Sequence, residues 1–261
     1  TNGKTTVTYL LKASLEQTLG AKVGLIGTIQ NMIGTRVLET ERTTPESYEL
    51  QRLFREMADA GCTHVVMEVS SHALALHRVD AIDFETGIFT NLTEDHLDFH
   101  KTMQAYGEAK AQLFARCRHA VLNLDDPACA VMQRKASGEV LTYALKQDAG
   151  LSGRKLQLHP DGIEMDAVFQ GQTARVRMGI PGEFSAYNAL AALGAALTLG
   201  IPLEKAAAAL GTAQGVKGRV EVVPTPGTDY TILIDYAHTP DGLENVLRCV
   251  RGFCRGRLVA L

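Results

Sequence analysis

The sequence predicts an α/β fold: a mostly parallel sheet flanked by helices and entered through a phosphate loop, with a small antiparallel β subregion and the start of a second α/β domain at the C-terminus. Three observations carry this expectation. Gly3-Lys4-Thr5 runs straight into a helical apolar pattern, and short apolar strands then alternate with amphipathic helices. Polar clusters sit at the C-terminal ends of those strands, which is where parallel sheets bind ligands.

The elements follow in order. Val7, Leu10, Leu11, Leu15 and Leu19 recur at helical spacing, and Gly20 supplies a stop. Lys22 to Gly27 reads as a buried strand, and residues 28–46 as loop with short extended pieces. Ser47 to Ala60 is an amphipathic helix ending at Gly61. Val65 to Val69 and Thr86 to Phe89 are short apolar strands, Met103 to Arg116 is helical, and Ala120 to Leu124 is a strand closed by Asp125-Asp126-Pro127. Between Lys155 and Met178, alternating stretches split by Asp161-Gly162 and Gly171 predict antiparallel hairpins. Ala186 to Leu199 is an alanine-rich helix capped by Gly200, and a shorter one starts at Pro202. Tyr230 to Tyr236 reads as a strand, Leu243 to Phe253 as a helix, and Arg257 to Leu261 as the opening of another strand. No strand precedes the phosphate loop and the last strand lacks its crossover, so the expectation is a piece of a longer protein.

Bulk properties narrow the class. The 261 residues are 46% hydrophobic and 21% charged, with a formal net charge of −3, the balance of a soluble globular protein with no basic field for nucleic acid or an anionic membrane. No apolar run has the length to span a bilayer. The five cysteines form no CxxC pair, so reduced thiols in a cytoplasmic protein are expected, without a zinc site.

Gly3-Lys4-Thr5 is the second half of a GxxxxGK[ST] loop. Backbone N–H groups at the helix start would cradle phosphate oxygens, Lys4 would neutralise them, and Thr5 would ligate Mg²⁺. The plain alternative is an ordinary helix start with Thr1 or Asn2 as its cap.

Several segments resemble the Mur ligase family, and within it the MurE type. They are Thr1-Asn2-Gly3-Lys4-Thr5-Thr6; Thr43-Thr44-Pro45-Glu46; Glu68-Val69-Ser70-Ser71-His72-Ala73-Leu74 with Arg78 after it; Phe89-Thr90-Asn91-Leu92 with Asp95-His96-Leu97-Asp98-Phe99-His100; Tyr106-Gly107-Glu108-Ala109-Lys110; Asn123 with Asp125-Asp126; Gly218-Arg219-Val220-Glu221; and Asp235-Tyr236-Ala237-His238-Thr239-Pro240-Asp241. The resemblance implies a three-domain ATP-dependent ligase of peptidoglycan precursor synthesis, of which residues 1–234 would be the central ATP-binding domain and 235–261 the opening of the C-terminal domain. ATP would phosphorylate the D-glutamate side chain of UDP-N-acetylmuramoyl-L-alanyl-D-glutamate. A diamino acid, meso-diaminopimelate or L-lysine, would then displace phosphate. A monomer is expected, binding neither nucleic acid nor membrane. The isolated chain is expected to bind ATP–Mg²⁺ and turn over nothing.

The same resemblance assigns roles. Thr1 to Thr6 would hold ATP, with Asn188, Arg219 and Asp235 as further nucleotide contacts. Thr5, Glu68, His96 and Lys110 would surround Mg²⁺, Lys110 as a carbamate formed with CO₂. Lys4, His96, Lys110 and Arg219 would carry catalysis, and Thr43, Thr44, Ser70 and Arg78 would hold the muramoyl-dipeptide. Each residue type suits its role, since phosphoryl transfer needs positioning and charge neutralisation more than covalent help. Each also has a plain alternative. Glu68 would be a helix cap or surface carboxylate, His96 a structural histidine bonded to Asp95 or Asp98, and Lys110 a solvated lysine. The threonines would form a turn before Pro45, Arg78 a surface ion pair, Arg219 a solvated arginine, and His238 a turn residue or a nucleotide neighbour. Three positions depart from the family's pattern: Ser185 replaces its first asparagine before Asn188, Arg42 precedes the threonine pair, and Leu76 stands where some relatives carry glutamine. Two other readings remain open, a folylpolyglutamate synthase-like ligase and a nucleotide-binding module without ligase activity.

Overall fold

The computed structural model describes all residues except 214, 238 and 239, and the side chain of residue 241. In chain order the elements are α1 (Lys4–Leu19), β1 (Val23–Ile26), β2 (Asn31–Ile33), β3 (Arg36–Leu38), α2 (Ser47–Asp59), β4 (His64–Met67), α3 (Ser71–Ala75), β5 (Phe84–Phe89), α4 (Leu97–His100) and α5 (Met103–Ala111). A 3₁₀ turn (Gln112–Arg116) leads into β6 (Cys117–Asn123), α6 (Cys129–Lys135), β7 (Glu139–Ala144), β8 (Leu151–His159), β9 (Gly162–Phe169) and β10 (Gln172–Met178). The chain closes with α7 (Glu183–Thr198), α8 (Leu203–Thr212), β11 (Glu221–Val223), β12 (Ile232–Ile234) and α9 (Pro240–Phe253).

The strands form two mixed sheets and a small ribbon. One sheet has the order β3-β2-β1-β4, with β1 and β4 parallel and the outer hairpin antiparallel. The other runs β10-β9-β8-β7-β6-β5, parallel from β5 to β8 and antiparallel from β8 to β10. β11 and β12 pair with each other. Burial follows topology. All four residues of β1 are buried, as a strand covered on both faces requires. In β10, Ala174, Val176 and Met178 are buried while Arg175 and Arg177 face outward, the period-2 alternation of a hairpin with one solvated face.

Helices α1, α7 and α8 pack on one another and on the sheets. Ala186, Ala189, Ala192 and Ala196 of α7 are almost wholly buried, small side chains that let α7 lie close to its neighbours. Among the described residues β4 and β5 each keep one unpaired edge. A cleft of about 650 Å³ opens between them over α1, lined by Val7, Leu11, Val66, Ile88, Ala195 and Leu199.

Three expectations change. Residues 257–261 are not a strand, because among the described residues no neighbouring strand supplies the ladder that would hold them extended. The Tyr230–Tyr236 strand contracts to Ile232–Ile234, paired only with β11. The helix from Met103 ends at Ala111 and tightens into the 3₁₀ turn. All five cysteines are free thiols, and no helix among the described residues is long and apolar enough to cross a membrane.

Leu10 is 1% exposed in the largest core cluster. Leu10→Ala is expected to lower unfolding stability by about 2–5 kcal/mol, read from urea denaturation midpoints.

Candidate active site

The phosphate-loop segment is built before any ligand arrives. Gly3 caps α1 in the left-handed region at φ 86°. A Cβ added there would lie 2.3 Å from Asn188 Oδ1, so both backbone and neighbour demand glycine. Asn91, just past β5, grips the loop: its carbonyl accepts from the Thr1 backbone nitrogen at 2.6 Å, and its side-chain oxygen accepts from Asn2 N–H at 2.7 Å. Thr90 Oγ1 donates to the Asn2 carbonyl at 2.8 Å. Lys4 Nζ folds back onto the Thr1 carbonyl at 2.5 Å.

Glu68, immediately past β4, is 2% exposed. Its carboxylate accepts from Thr5 Oγ1 at 2.9 Å, Thr28 N–H at 2.8 Å and Thr28 Oγ1 at 3.1 Å. Its carbonyl accepts from Thr44 Oγ1 at 2.8 Å. Thr28 Oγ1 in turn lies 3.0 Å from Thr43 Oγ1. One residue therefore links the phosphate loop to the Thr43-Thr44 loop, and Glu68 is neither a helix cap nor a surface group.

The Thr43-Thr44 loop is joined to α3 and the segment beyond it. Ser70 N–H donates to Thr44 Oγ1 at 3.0 Å, and Ser70 Oγ accepts from Ala73 N–H at 3.1 Å as the cap of α3. Arg78 donates to the Thr44 carbonyl at 3.1 Å and pairs with Glu46 at 2.8 Å. Its side chain is only 12% exposed, and its Nε is buried with no partner among the described residues. The surface ion pair considered for Arg78 is thus a half-buried one with spare donor capacity.

His96 stands at φ 53° before α4, 3.4 Å from Asp95 and edge-on to His72, with ring centroids 4.7 Å apart. Its pairing with Asp95 matches the plain alternative, and 44% exposure of its side chain leaves the imidazole accessible. Burial lowers its pKa, opposed by Asp95 and reinforced by His72, Lys4 and Lys110. Lys110 is not a solvated lysine. Its ammonium lies 4.8 Å from the Tyr106 ring centroid, and burial together with the Lys4 charge brings its pKa down to about 7. Lys4 is lowered as well, first by burial and then by Arg219, with Glu68 and Asp95 opposing.

Arg219 reaches Thr5 Oγ1 at 3.4 Å, stacks 5.3 Å from the Tyr236 ring centroid and keeps a buried Nε with no partner among the described residues. Asp235 spends both carboxylate oxygens on backbone, accepting from Val220 N–H at 2.8 Å and Ala237 N–H at 2.7 Å. It fixes the loop that carries Arg219. His238 and Thr239 lie outside the described residues.

Thr1 to Thr6, Glu68, His96, Lys110, Asn188 and Arg219 thus gather at one end of the sheets, with Thr43, Thr44, Ser70 and Arg78 joined to them through Glu68. Sequence reasoning gave Thr28, Asn91, Tyr106 and His72 no role. Asn91, Tyr106 and His72 lie inside quoted motifs, whereas Thr28 carried no signal because only folding brings it to Glu68. Among the described residues no three His, Cys, Asp or Glu side chains form a metal-holding cluster. The donors present, the Thr5 hydroxyl and Glu68 carboxylate 2.9 Å apart, are hard oxygens of the kind Mg²⁺ takes alongside water and phosphate.

Gly3→Ala is expected to cost about 1–3 kcal/mol of stability from its left-handed backbone and the Asn188 contact, measured by chemical denaturation. Lys110 sets a pH dependence. Its folded pKa of about 7 lies below that of an unfolded lysine, so between about pH 7 and 10 the unfolded state binds the extra proton. Stability of the native chain relative to Lys110→Met should rise with pH across that window and level off below it. Denaturation midpoints at pH 6.5, 8 and 9.5 would show this, and a flat difference would contradict it.

Residues 1–196 match the Mur ligase middle domain family. Two curated relatives named UDP-N-acetylmuramoyl-L-alanyl-D-glutamate--2,6-diaminopimelate ligase are similar to the chain. The one from Clostridium botulinum is 46% identical over 262 residues, covering 100% of this chain and 54% of the relative. The one from Caldanaerobacter subterraneus is 49% identical over 260 residues, covering 99% and 53%. A solved structure of a ligase of the same name superposes with a TM-score of 0.83 at 33% identity, covering 97% of this chain and 52% of that one. The chain spans about half the length of the curated relatives it matches. The match extends over three quarters of the sequence and takes in the phosphate loop, Glu68, His96, Lys110 and Asn188, though not Arg219, and on that basis the chain belongs to the Mur ligase family.

Proposed function

We propose that the full-length protein is an ATP-dependent amide ligase that adds a diamino acid to UDP-N-acetylmuramoyl-L-alanyl-D-glutamate through an acyl phosphate. The names of the relatives favour 2,6-diaminopimelate over L-lysine as the amino acid added. The observation that carries the reading is the buried Glu68–Thr5 pair at the head of the phosphate helix, with Lys4, Lys110 and Arg219 about it. Free cysteines throughout fit a cytoplasmic enzyme.

In this reading the N–H groups at the start of α1 and the Lys4 ammonium receive the triphosphate. Lys4 exchanges its bond to the Thr1 carbonyl for phosphate oxygen, whose charge offsets the burial and the Arg219 repulsion that lower its pKa. Thr5 and Glu68, with His96 beyond them, would hold Mg²⁺, which when bound screens the γ-phosphate from the attacking carboxylate. Arg219 stabilises charge on the transferred phosphoryl group. Asn188, packed beside Gly3, would contact the adenine end of the nucleotide, and Asp235 acts by fixing the Arg219 loop. Lys110, neutral above about pH 7, attacks CO₂ through its amine and releases one proton, leaving an anionic carbamate beside Lys4 and the metal position. Thr43, Thr44, Ser70 and Arg78 hold the carboxylate and amide groups of the muramoyl-dipeptide, Arg78 with its unpartnered Nε.

Lys110→Ala in the full-length protein is expected to lower ligation by about 100-fold or more while ATP affinity stays within about threefold, since the N–H cradle and Lys4 remain. Phosphate release and isothermal titration would measure the two, and ligation near the normal rate would overturn the carbamate role. A thermal shift with UDP-muramoyl-dipeptide but not with folate is expected, and the reverse result would favour a folylpolyglutamate-type ligase. The 261-residue chain alone should bind ATP–Mg²⁺ weakly and form no amide.

A further inference from the structure

The residues between His96 and Lys110 form a compact hook, and the side chain at its bend has no role in the chemistry described above. α4 is a single turn. His100 N–H closes it on the His96 carbonyl at 2.9 Å, and Lys101 then reverses the chain at φ 68° so that α5 can start. The His100 side chain turns inward and is only 8% exposed. Its Nε2 lies 2.8 Å from Ser71 Oγ, a buried hydroxyl three residues beyond Glu68. Its ring stacks on Tyr106, with centroids 4.9 Å apart and an interplanar angle of 20°. Tyr106 is 1% exposed, and the Lys110 ammonium lies 4.8 Å from its centroid. One continuous chain of contacts thus runs from the strand end that carries Glu68, through Ser71, His100 and Tyr106, to Lys110.

We propose that His100 is a positioning residue for Lys110, holding the Tyr106 ring as the platform that keeps the lysine amine turned toward Lys4 for carbamylation. The proposal rests on the carbamate reading of Lys110 given above. Lysine has four rotatable side-chain bonds and loses about 2 kcal/mol of rotamer freedom when fixed. A flat ring one helical turn earlier, itself clamped by a stacked imidazole, supplies that fixation. Without His100 the Tyr106 ring loses its stacked neighbour and α4 loses its tie to Ser71, so that Tyr106 is held only at its hydroxyl, by Thr1 and Ser71, and not across its face. The amine then samples positions from which the carbamate cannot reach the other ligands. The chemistry balances without a further reagent: the neutral amine and CO₂ give the carbamate and one proton.

The test is carbon-13 NMR of the full-length protein equilibrated with ¹³C-bicarbonate, comparing wild type, His100→Leu, Ser71→Ala, Lys110→Ala and the control His77→Leu, whose histidine is 75% exposed. Wild type and His77→Leu should show the same carbamate resonance, absent in Lys110→Ala. His100→Leu should need about tenfold more bicarbonate for half occupancy. Ser71→Ala, which breaks the same tie from the far end, should need about threefold more. ATP affinity and circular dichroism at the measuring temperature should match wild type, so that occupancy rather than folding is read. Unchanged occupancy in both His100→Leu and Ser71→Ala would overturn the positioning role and leave the carbamate standing. A wild-type spectrum identical to that of Lys110→Ala would overturn the carbamate and this role with it. If His100→Leu is misfolded, Ser71→Ala alone decides between these outcomes.

Discussion

The site depends on a carboxylate kept out of water. Glu68 is 2% exposed and is sustained there by Thr5 and by the amide and hydroxyl of Thr28. A buried anion without such donors would cost several kcal/mol. Satisfying it therefore fixes where α1 begins, where the residue-28 turn lies and, through the Glu68 carbonyl, where Thr44 sits. The backbone yields to it as well, since a Cβ on Gly27 would lie 2.5 Å from Glu68 Oε1. The phosphate-loop segment and the Thr43-Thr44 loop are thereby set by one side chain.

Around that anion the cations are crowded. Burial lowers the pKa of Lys4, Lys110 and the His96 imidazole alike; Arg219 adds to it at Lys4, Lys4 adds to it at Lys110, and His72, Lys4 and Lys110 add to it at His96, with Asp95 opposing in each case. Burying like charges together is unfavourable unless an anion arrives. In the proposed reading a triphosphate would bring negative charge to these cations, and a carbamate on Lys110 would replace one of them with a negative group. Each would remove repulsion that the protein carries by itself, so nucleotide binding and lysine modification would favour one another.

Much of this was legible in the sequence, for reasons that differ by residue. The first helix, the buried strand after it and the hairpin region were visible because 3.6- and 2-residue periodicities encode burial directly. The convergence of Glu68, His96 and Lys110 on the phosphate loop was legible only through family motifs, since no spacing rule connects positions 68, 96 and 110. Lys110 shows the limit most plainly. A lysine in a helix predicts solvent, and only the packing of α5 against its neighbours reveals the desolvation behind its altered pKa. Thr28 and the backbone-directed carboxylate of Asp235 were not readable, because each acts on a partner far away in sequence or on main chain that any residue supplies. The terminal strand failed for a related reason: β character near Leu261 becomes a strand only where a neighbour offers its hydrogen bonds.

The gap between β4 and β5 bears on how this chain behaves by itself. Two unpaired strand edges face an apolar cleft of about 650 Å³, and such edges present rows of unmatched amides and carbonyls to any extended peptide that reaches them. The gap between the two sheets is thus a place where the isolated chain would self-associate through backbone pairing. Adding surface charge would do little against self-templating there, whereas filling the gap with backbone would quench it.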